Sequence, residues 1–163
     1  MLLVVATGSA MPATGLASSP PYVPCAEIIG QASGPRVAGY RLVLGVLSVP
    51  PAYSAQGAAR VHGFGLWTHW RKAPVLVRGG RFIVTVTVPN GWRSRAAISW
   101  GSGVSPIASS VRFSGCGPGA PTSEWNAYAG GFYLRSLAAC IPLSFQVGKR
   151  VVTERFGIGT RCR

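Results

Sequence analysis

Side chains that could carry out acid–base chemistry are few in this sequence. The 163 residues include no aspartate, and the three carboxylates, Glu27, Glu124 and Glu154, are widely separated along the chain. A Ser-His-Asp triad would need a glutamate in place of the aspartate, and glycoside hydrolysis usually needs two facing carboxylates. His62 and His69 are seven residues apart, so a regular strand would place them on opposite faces. These residue types predict a protein that is not an enzyme and that binds no metal ion or cofactor.

Motifs of the large enzyme classes are missing as well. The sequence has no G-x-S-x-G nucleophile elbow, no P-loop and no G-x-G-x-x-G before a helix. One catalytic alternative stays open, a small hydrolase of the cell envelope that pairs Glu124 or Glu154 with a histidine. Such an enzyme would lose activity rather than affinity when the glutamate is replaced by glutamine.

The charge balance is strongly basic. Sixteen lysines and arginines face three acids, which gives a formal net charge of +13. A field of this sign attracts polyanions, although the basic residues are spread singly, as an arginine-rich composition would also produce. We expect an anionic cell-wall polymer or a glycan as the partner, and no nucleic acid. The candidate polyanion-binding residues, which flank a predicted hairpin and the turn after it, are Arg71, Lys72, Arg78, Arg81, Arg93 and Arg95. A solvated basic rim is the simpler interpretation of the same six residues.

The stretch "SEWNAYAGGFYLR" at 123–135 concentrates aromatic side chains. Trp125, Tyr128 and Tyr133 are candidates for stacking on a sugar, as in a carbohydrate-binding module with exposed tryptophans. A regular strand, however, would place aromatics on both of its faces. This distribution favours a buried central strand in which Gly130-Gly131 forms a bulge or allows close backbone approach.

The four cysteines indicate structural disulfides. Cys25, Cys116, Cys140 and Cys162 form no CxxC motif, and an even number in a short, loop-rich chain is typical of an oxidising compartment. Three pairings are possible. Their positions favour Cys116–Cys140 within the C-terminal half and Cys25–Cys162 joining the two ends.

The N-terminal segment resembles an export signal. Residues 1–20 begin with a short apolar stretch and continue with small residues that resemble signal-peptidase sites. We therefore expect a signal-like segment and linker over 1–20 and one domain over 21–163. No apolar run approaches the roughly 18–20 residues of a membrane-spanning helix, so we expect an extracellular or wall-associated protein without a transmembrane span.

Turn residues and alternating apolar residues predict an all-β fold. Residues 36–51 form a continuous apolar run typical of one buried strand, and 52–60 is predicted to be a loop. A Gly79-Gly80 turn joins two alternating strands, and 140–159 has the pattern of a long hairpin. About eight to nine short strands at this spacing predict a single antiparallel β-sandwich, Ig-like or jelly-roll-like, that is stapled by disulfides.

Several C-terminal segments carry a family resemblance. "GWRSRAAISWG", "SSVRFSGC", "WNAYAGGFYLR", "CIPLSFQVGKR" and "RFGIGTRC", within 74–162, resemble a group of small exported proteins of high-GC Gram-positive bacteria that have no established activity. The resemblance implies export, a compact β-domain and cysteines in structural bonds, and it implies no catalytic residues. We therefore expect a secreted or wall-associated protein with a binding or structural role.

Overall fold

The chain folds almost entirely into β-strands. A computed structural model describes residues 19–35, 39–101, 105–116 and 125–163. Within these ranges there are fifteen strands and two short 3-10 helices, Cys25–Glu27 and Asn90–Trp92. The strands are β1 (Tyr22–Val23), β2 (Gly30–Ala32), β3 (Arg41–Val43), β4 (Leu47–Val49), β5 (Tyr53–Ser54), β6 (Ala59–Arg60), β7 (His69–Lys72), β8 (Val75–Arg78), β9 (Ile83–Thr87), β10 (Ala96–Trp100), β11 (Ser110–Ser114), β12 (Trp125–Tyr128), β13 (Gly130–Leu134), β14 (Ala139–Val147) and β15 (Arg150–Ile158).

The all-β, sandwich-like prediction is confirmed, but the strands are shorter and more numerous than the eight or nine expected. No helix in the described ranges is long and apolar enough to cross a bilayer. Residues 1–18, which carry most of the predicted export signal, lie outside those ranges.

One layer is a six-stranded sheet in the order β1-β11-β9-β14-β15-β5. The predicted hairpin at 140–159 is confirmed, because β14 pairs with β15 from Ala139 opposite Ile158 to Val147 opposite Arg150. Both edge strands, β1 and β5, pair in parallel with their neighbours. The sheet is therefore antiparallel, as predicted, except at its two short edge strands.

The second layer bends. It consists of a five-stranded sheet, β2-β12-β8-β4-β3, and a four-stranded sheet, β10-β13-β7-β6. Residues 69–78 and 125–134 run through both sheets and pair with each other on either side of the bend. At the bend, Pro74 lacks an N–H, Gly130 has a φ of 141°, and the Ala73 N–H donates to the Gly130 carbonyl oxygen at 2.8 Å.

Aromatic side chains join the two layers in the core. Neighbouring ring centroids lie 5.1 to 6.2 Å apart, in tilted or edge-to-face pairs. Trp100 is buried, and its indole Nε1 donates to the Ala73 carbonyl oxygen at 2.8 Å, so the ring also fixes the bend. The rings in these pairs are those of Trp100, Phe113, Tyr128, Phe132, Phe145 and Phe156, and all six are buried.

The apolar run at 36–51 contains a turn that its composition concealed. Within it, β3 and β4 form an antiparallel hairpin instead of one strand. Residues 44–46 connect them. Leu44 and Gly45 have φ values of 54° and 75°, in the left-handed region, and the Val46 N–H donates to the Val43 carbonyl oxygen at 3.2 Å, which closes the turn. The segment at 52–60, predicted to be a loop, contributes β5 and β6, and 36–38 lies outside the described residues.

All four cysteines are in disulfides, as predicted, but the predicted pairing is wrong. The bonds are Cys25–Cys116 and Cys140–Cys162. Because β1 lies parallel to β11, Cys25 and Cys116 each follow their strand by two residues and leave the sheet edge side by side. At the other end of the chain, Gly159 has a φ of 63° where β15 ends, and Cys162 returns to Cys140 in β14.

Candidate functional site

The aromatic stretch is part of the core rather than a ligand platform. Trp125 is 3% exposed and Tyr128 is 0% exposed. Tyr133 is half-buried, and its ring packs 5.3 Å from that of Phe64. The interpretation of this stretch as a buried strand is confirmed. The sugar-stacking prediction is wrong for Trp125 and Tyr128, which cannot present a ring face to a glycan.

The Tyr128 hydroxyl contacts a disulfide sulfur instead of a ligand site. It lies 3.2 Å from the Sγ atom of Cys116. Burial raises the pKa of Tyr128 to about 12, and the nearby Tyr22 hydroxyl adds a smaller effect in the same direction. The phenol is therefore neutral at physiological pH and contributes to packing beside the disulfide.

The β14–β15 hairpin defines two ends of the molecule. The Gly148-Lys149 turn marks the first, which we call the hairpin end. Val147 is opposite Val84 in the first half of β9, so the loop that precedes β9 also lies at the hairpin end. Ala139 and the end of β15 mark the opposite end.

The six predicted basic residues do not form one surface. Arg71 and Lys72 line a cavity. Arg78 lies at the end of β8, and Arg81 lies in the loop before β9. Arg93 and Arg95 follow the second 3-10 helix, beyond the other end of β9. The β9 strand separates the second pair from the third, so the six residues do not converge on one part of the surface.

A different arginine cluster surrounds Trp92 at the end opposite the hairpin turn. Two hollows there share the Trp92 ring. No acidic side chain is among the described residues that line either hollow. We call this cluster the arginine surface; it consists of Trp92 with Arg95, Arg135, Arg155, Arg161 and Arg163.

Aromatic rings hold several of these guanidinium groups in place. The Cζ atom of Arg95 lies 4.0 Å from the centroid of the Trp92 ring. Arg161 lies 4.6 Å from the centroid of Tyr53 in the same way. Stacking on a ring face restrains the guanidinium plane and leaves N–H groups at its edge free to contact an anion.

Backbone oxygens restrain two of the arginines further. Nη2 of Arg95 donates to the Gly91 carbonyl oxygen at 3.0 Å. Nη1 of Arg155 donates to the backbone oxygen of Arg163 at 2.7 Å. Both partners are backbone oxygens, so the hydrogen bonds orient the side chains without the involvement of an acidic side chain.

A cavity of about 190 Å³ lies between the layers, beside the bend. Arg71 lines it and is held by neutral partners, since Nη2 donates to Ser54 Oγ at 3.0 Å and Nη1 donates to Gln56 Oε1. On the cavity wall, the Tyr40 hydroxyl donates to the Pro74 carbonyl oxygen at 3.1 Å. Burial raises the pKa of Tyr40, and the positive charge of Arg71 acts in the opposite direction.

The carboxylates do not form a catalytic pair with a histidine in the described part of the chain. Glu154 forms an ion pair with Arg41, and Glu27 accepts a hydrogen bond from Ser105 Oγ at 3.3 Å. Nδ1 of His69 lies 2.9 Å from its neighbour, Thr68 Oγ1. Glu124, the other glutamate of the hydrolase alternative, lies outside the described residues.

Metal-binding geometry is absent from the described residues, where no group of three or more His, Cys, Asp or Glu side chains comes together. Compared with known protein families, curated proteins and solved structures, the chain has no significant match. The assignment of a function therefore depends on the chemistry of the arginine surface and of the cavity.

Sequence reasoning missed most of the arginine surface because its members come from segments far apart in the chain. Three of its five arginines lie in the last nine residues, "RFGIGTRCR". The Cys140–Cys162 bond folds that segment against β14 and next to Trp92. The density of arginines beside the last cysteine was the available signal, and its meaning depended on the correct cysteine pairing.

Proposed function

We propose that this protein is an exported, non-enzymatic binding protein of the cell envelope that holds an anionic polymer on its arginine surface. The observation that carries the proposal is the convergence of five arginines around Trp92 with no acidic side chain among the described residues that line the two hollows. The two disulfides fit an oxidising compartment outside the cell. The resemblance to small exported proteins supports the same location.

Arginine suits this task better than lysine would. Its planar guanidinium contacts two oxygens of one phosphate at the same time, and a ring below it does not block the donors at its edge. Two adjoining hollows along one surface fit a ligand whose charges repeat, because successive anionic groups can occupy successive arginines. A phosphate-bearing polymer of the cell wall has this repeating charge.

Binding to poly(glycerol phosphate) tests the proposal. We expect the purified chain to bind this polymer at low salt and to bind neutral dextran much more weakly. The Kd for the phosphate polymer should rise steeply with salt because the contacts are exposed and screened. Salt-independent binding, or equal binding to dextran, would contradict the proposal.

A fourfold variant locates the contact. We change Arg95, Arg135, Arg155 and Arg163 to glutamine, all of which are exposed. If each contact contributes about 0.5 kcal/mol, affinity for the phosphate polymer should fall roughly 30-fold.

The matched control removes the same charge from the other parts of the surface. It changes Arg78, Arg81, Lys149 and Arg150 to glutamine, which are also exposed. Both variants lower the net charge by four, so a general effect of charge should weaken them equally. We expect the control to lose less than about threefold in affinity. Equal losses in the two variants would show that overall charge, and not the arginine surface, binds the polymer.

A further inference from the structure

We propose that the cavity beside the bend binds one small phosphomonoester of about the size of glycerol phosphate. This site is separate from the arginine surface, and its ligand is a single small molecule instead of a polymer. The inference goes beyond the proposed function, because it predicts saturable binding with one ligand per chain. It rests on the size of the cavity, on its uncompensated positive charge and on its apolar walls.

The size of the cavity sets the size of the ligand. Its volume of about 190 Å³ is that of roughly six water molecules. Typical sites for drug-sized molecules begin at about 300 Å³. A glycerol-sized body with one phosphate group matches the smaller volume, whereas a folded segment of polymer does not.

The charge of the cavity selects an anion. Arg71 uses one N–H of each terminal nitrogen on Ser54 and Gln56, which leaves further donors of its five for a ligand. Lys72 also lines the cavity. No acidic side chain is among the described lining residues, so no carboxylate of the described lining competes with an incoming anion.

The two cations favour a dianion. A phosphomonoester carries close to two negative charges at neutral pH and offers three terminal oxygens. It can therefore bind Arg71 in the cavity and draw the exposed side chain of Lys72 toward it, whereas a carboxylate matches only one cation. Arginine and lysine side chains are both common phosphate binders.

The remaining walls suit a small organic body. Pro50, Pro51 and Tyr53 are among the lining residues and are partly accessible, so carbon atoms of a ligand can pack against them. Because the Tyr40 hydroxyl uses its proton on the Pro74 carbonyl oxygen, its oxygen is left as an acceptor. A ligand hydroxyl near the phosphate can donate to it, so a polyol phosphate fits better than phosphate alone.

Calorimetric titration of the purified full chain with glycerol 1-phosphate tests the site. We expect one ligand per chain, with affinity at least tenfold higher than for inorganic phosphate, for glycerol or for glycerate. Equal or tighter binding of inorganic phosphate would overturn the role of the organic body. Equal or tighter binding of glycerate would overturn the preference for a phosphate, and the absence of saturable binding would overturn the site itself.

Single substitutions assign the site to the cavity. Arg71→Gln should weaken binding at least tenfold. Because that change also removes two hydrogen bonds, Lys72→Gln serves as the second variant; Lys72 is exposed, and its loss should weaken binding at least threefold while the fold is retained. Arg78→Gln is the matched control and should bind as the unchanged chain does. Unaltered affinity in both cavity variants would contradict the proposal.

The fourfold variant of the arginine surface separates this proposal from the proposed function. It should bind glycerol 1-phosphate normally, because its four residues do not line the cavity. Loss of monomer binding in that variant would overturn the separate site. Normal monomer binding with unchanged polymer binding would instead contradict only the proposed function.

Discussion

The two disulfides should differ in how much they stabilise the fold. Cys25 and Cys116 are separated by 91 residues, and Cys140 and Cys162 by 22. A cross-link that closes a longer loop removes more conformational entropy from the unfolded chain. That relation gives about 4.6 kcal/mol for the long loop and about 3.4 kcal/mol for the short one at 25 °C.

Packing around the bonds increases this difference. Cys116 is buried beside the Tyr128 hydroxyl, so its replacement by the smaller serine also leaves a gap in the packing there. The short loop consists largely of β14 and β15, and nine residue pairs still join these strands when the bond between Cys140 and Cys162 is removed. We therefore expect the Cys25→Ser/Cys116→Ser variant to lose at least about 1 kcal/mol more than the Cys140→Ser/Cys162→Ser variant.

Urea unfolding of the oxidised proteins, followed by tryptophan fluorescence, measures the free energies of unfolding. Peptide mapping of the unreduced chain checks the pairing beforehand. Two results would refute the reasoning. One is a larger loss from the Cys140→Ser/Cys162→Ser variant, and the other is a peptide that joins Cys116 to Cys140.

Three further perturbations test the core and the junction of the layers. The pKa of Tyr128 is about 12 in the fold and about 10 in the unfolded chain. In the unchanged protein, the stabilisation from this difference is therefore complete below pH 10, and roughly 2 kcal/mol of it is lost between pH 10 and 12. Tyr128→Phe should remove this part of the loss of stability at alkaline pH. Urea titrations across that range check it, and an unchanged pH profile would count against it. Gly130→Ala should lower the free energy of unfolding by about 3 kcal/mol or more, because φ is 141° and the new Cβ would overlap the backbone of β10. Its control, Gly148→Ala, has a φ of 56° and open space around it and should cost about 1 kcal/mol. Equal losses of stability in thermal unfolding would be inconsistent with a tight bend. A double-mutant cycle of Arg41→Met and Glu154→Gln should give a coupling free energy of about 1 kcal/mol that decreases with salt, and zero coupling at low salt would show that the pair does not join the layers.

Local patterns predicted the parts of the fold whose pairing partners are close in sequence. The β14–β15 hairpin has alternating apolar residues and a Gly-Lys turn. Strands do lie on either side of Gly79-Gly80, but β8 and β9 belong to different sheets and do not pair, so the predicted hairpin at this turn is wrong. The run at 36–51 failed because its turn uses Leu44 at a positive φ. Leucine rarely adopts that backbone, so Gly45 was the only sign of the turn within this apolar run.

The candidate sites could not be predicted in the same way, because long-range pairing assembles them. Trp92 meets Arg155 and Arg163 only after β14 and β15 have joined the sheet and Cys162 has bonded to Cys140. Four cysteines allow three pairings, and sequence position does not select among them. An incorrect pairing therefore also hid the arginine surface.

The aromatic stretch at 123–135 suggested a ligand face, and its role in the cavity is indirect. Gly130 and Gly131 lack side chains where the backbones of β10 and β7 come closest, and this close approach allows the second layer to bend. The bend places Arg71 at the cavity wall, while Trp100 fixes the bend through the Ala73 carbonyl oxygen. The glycines and buried rings thus position a cation without contacting a ligand themselves. Substitutions in this stretch would therefore affect stability first and binding only through the position of Arg71.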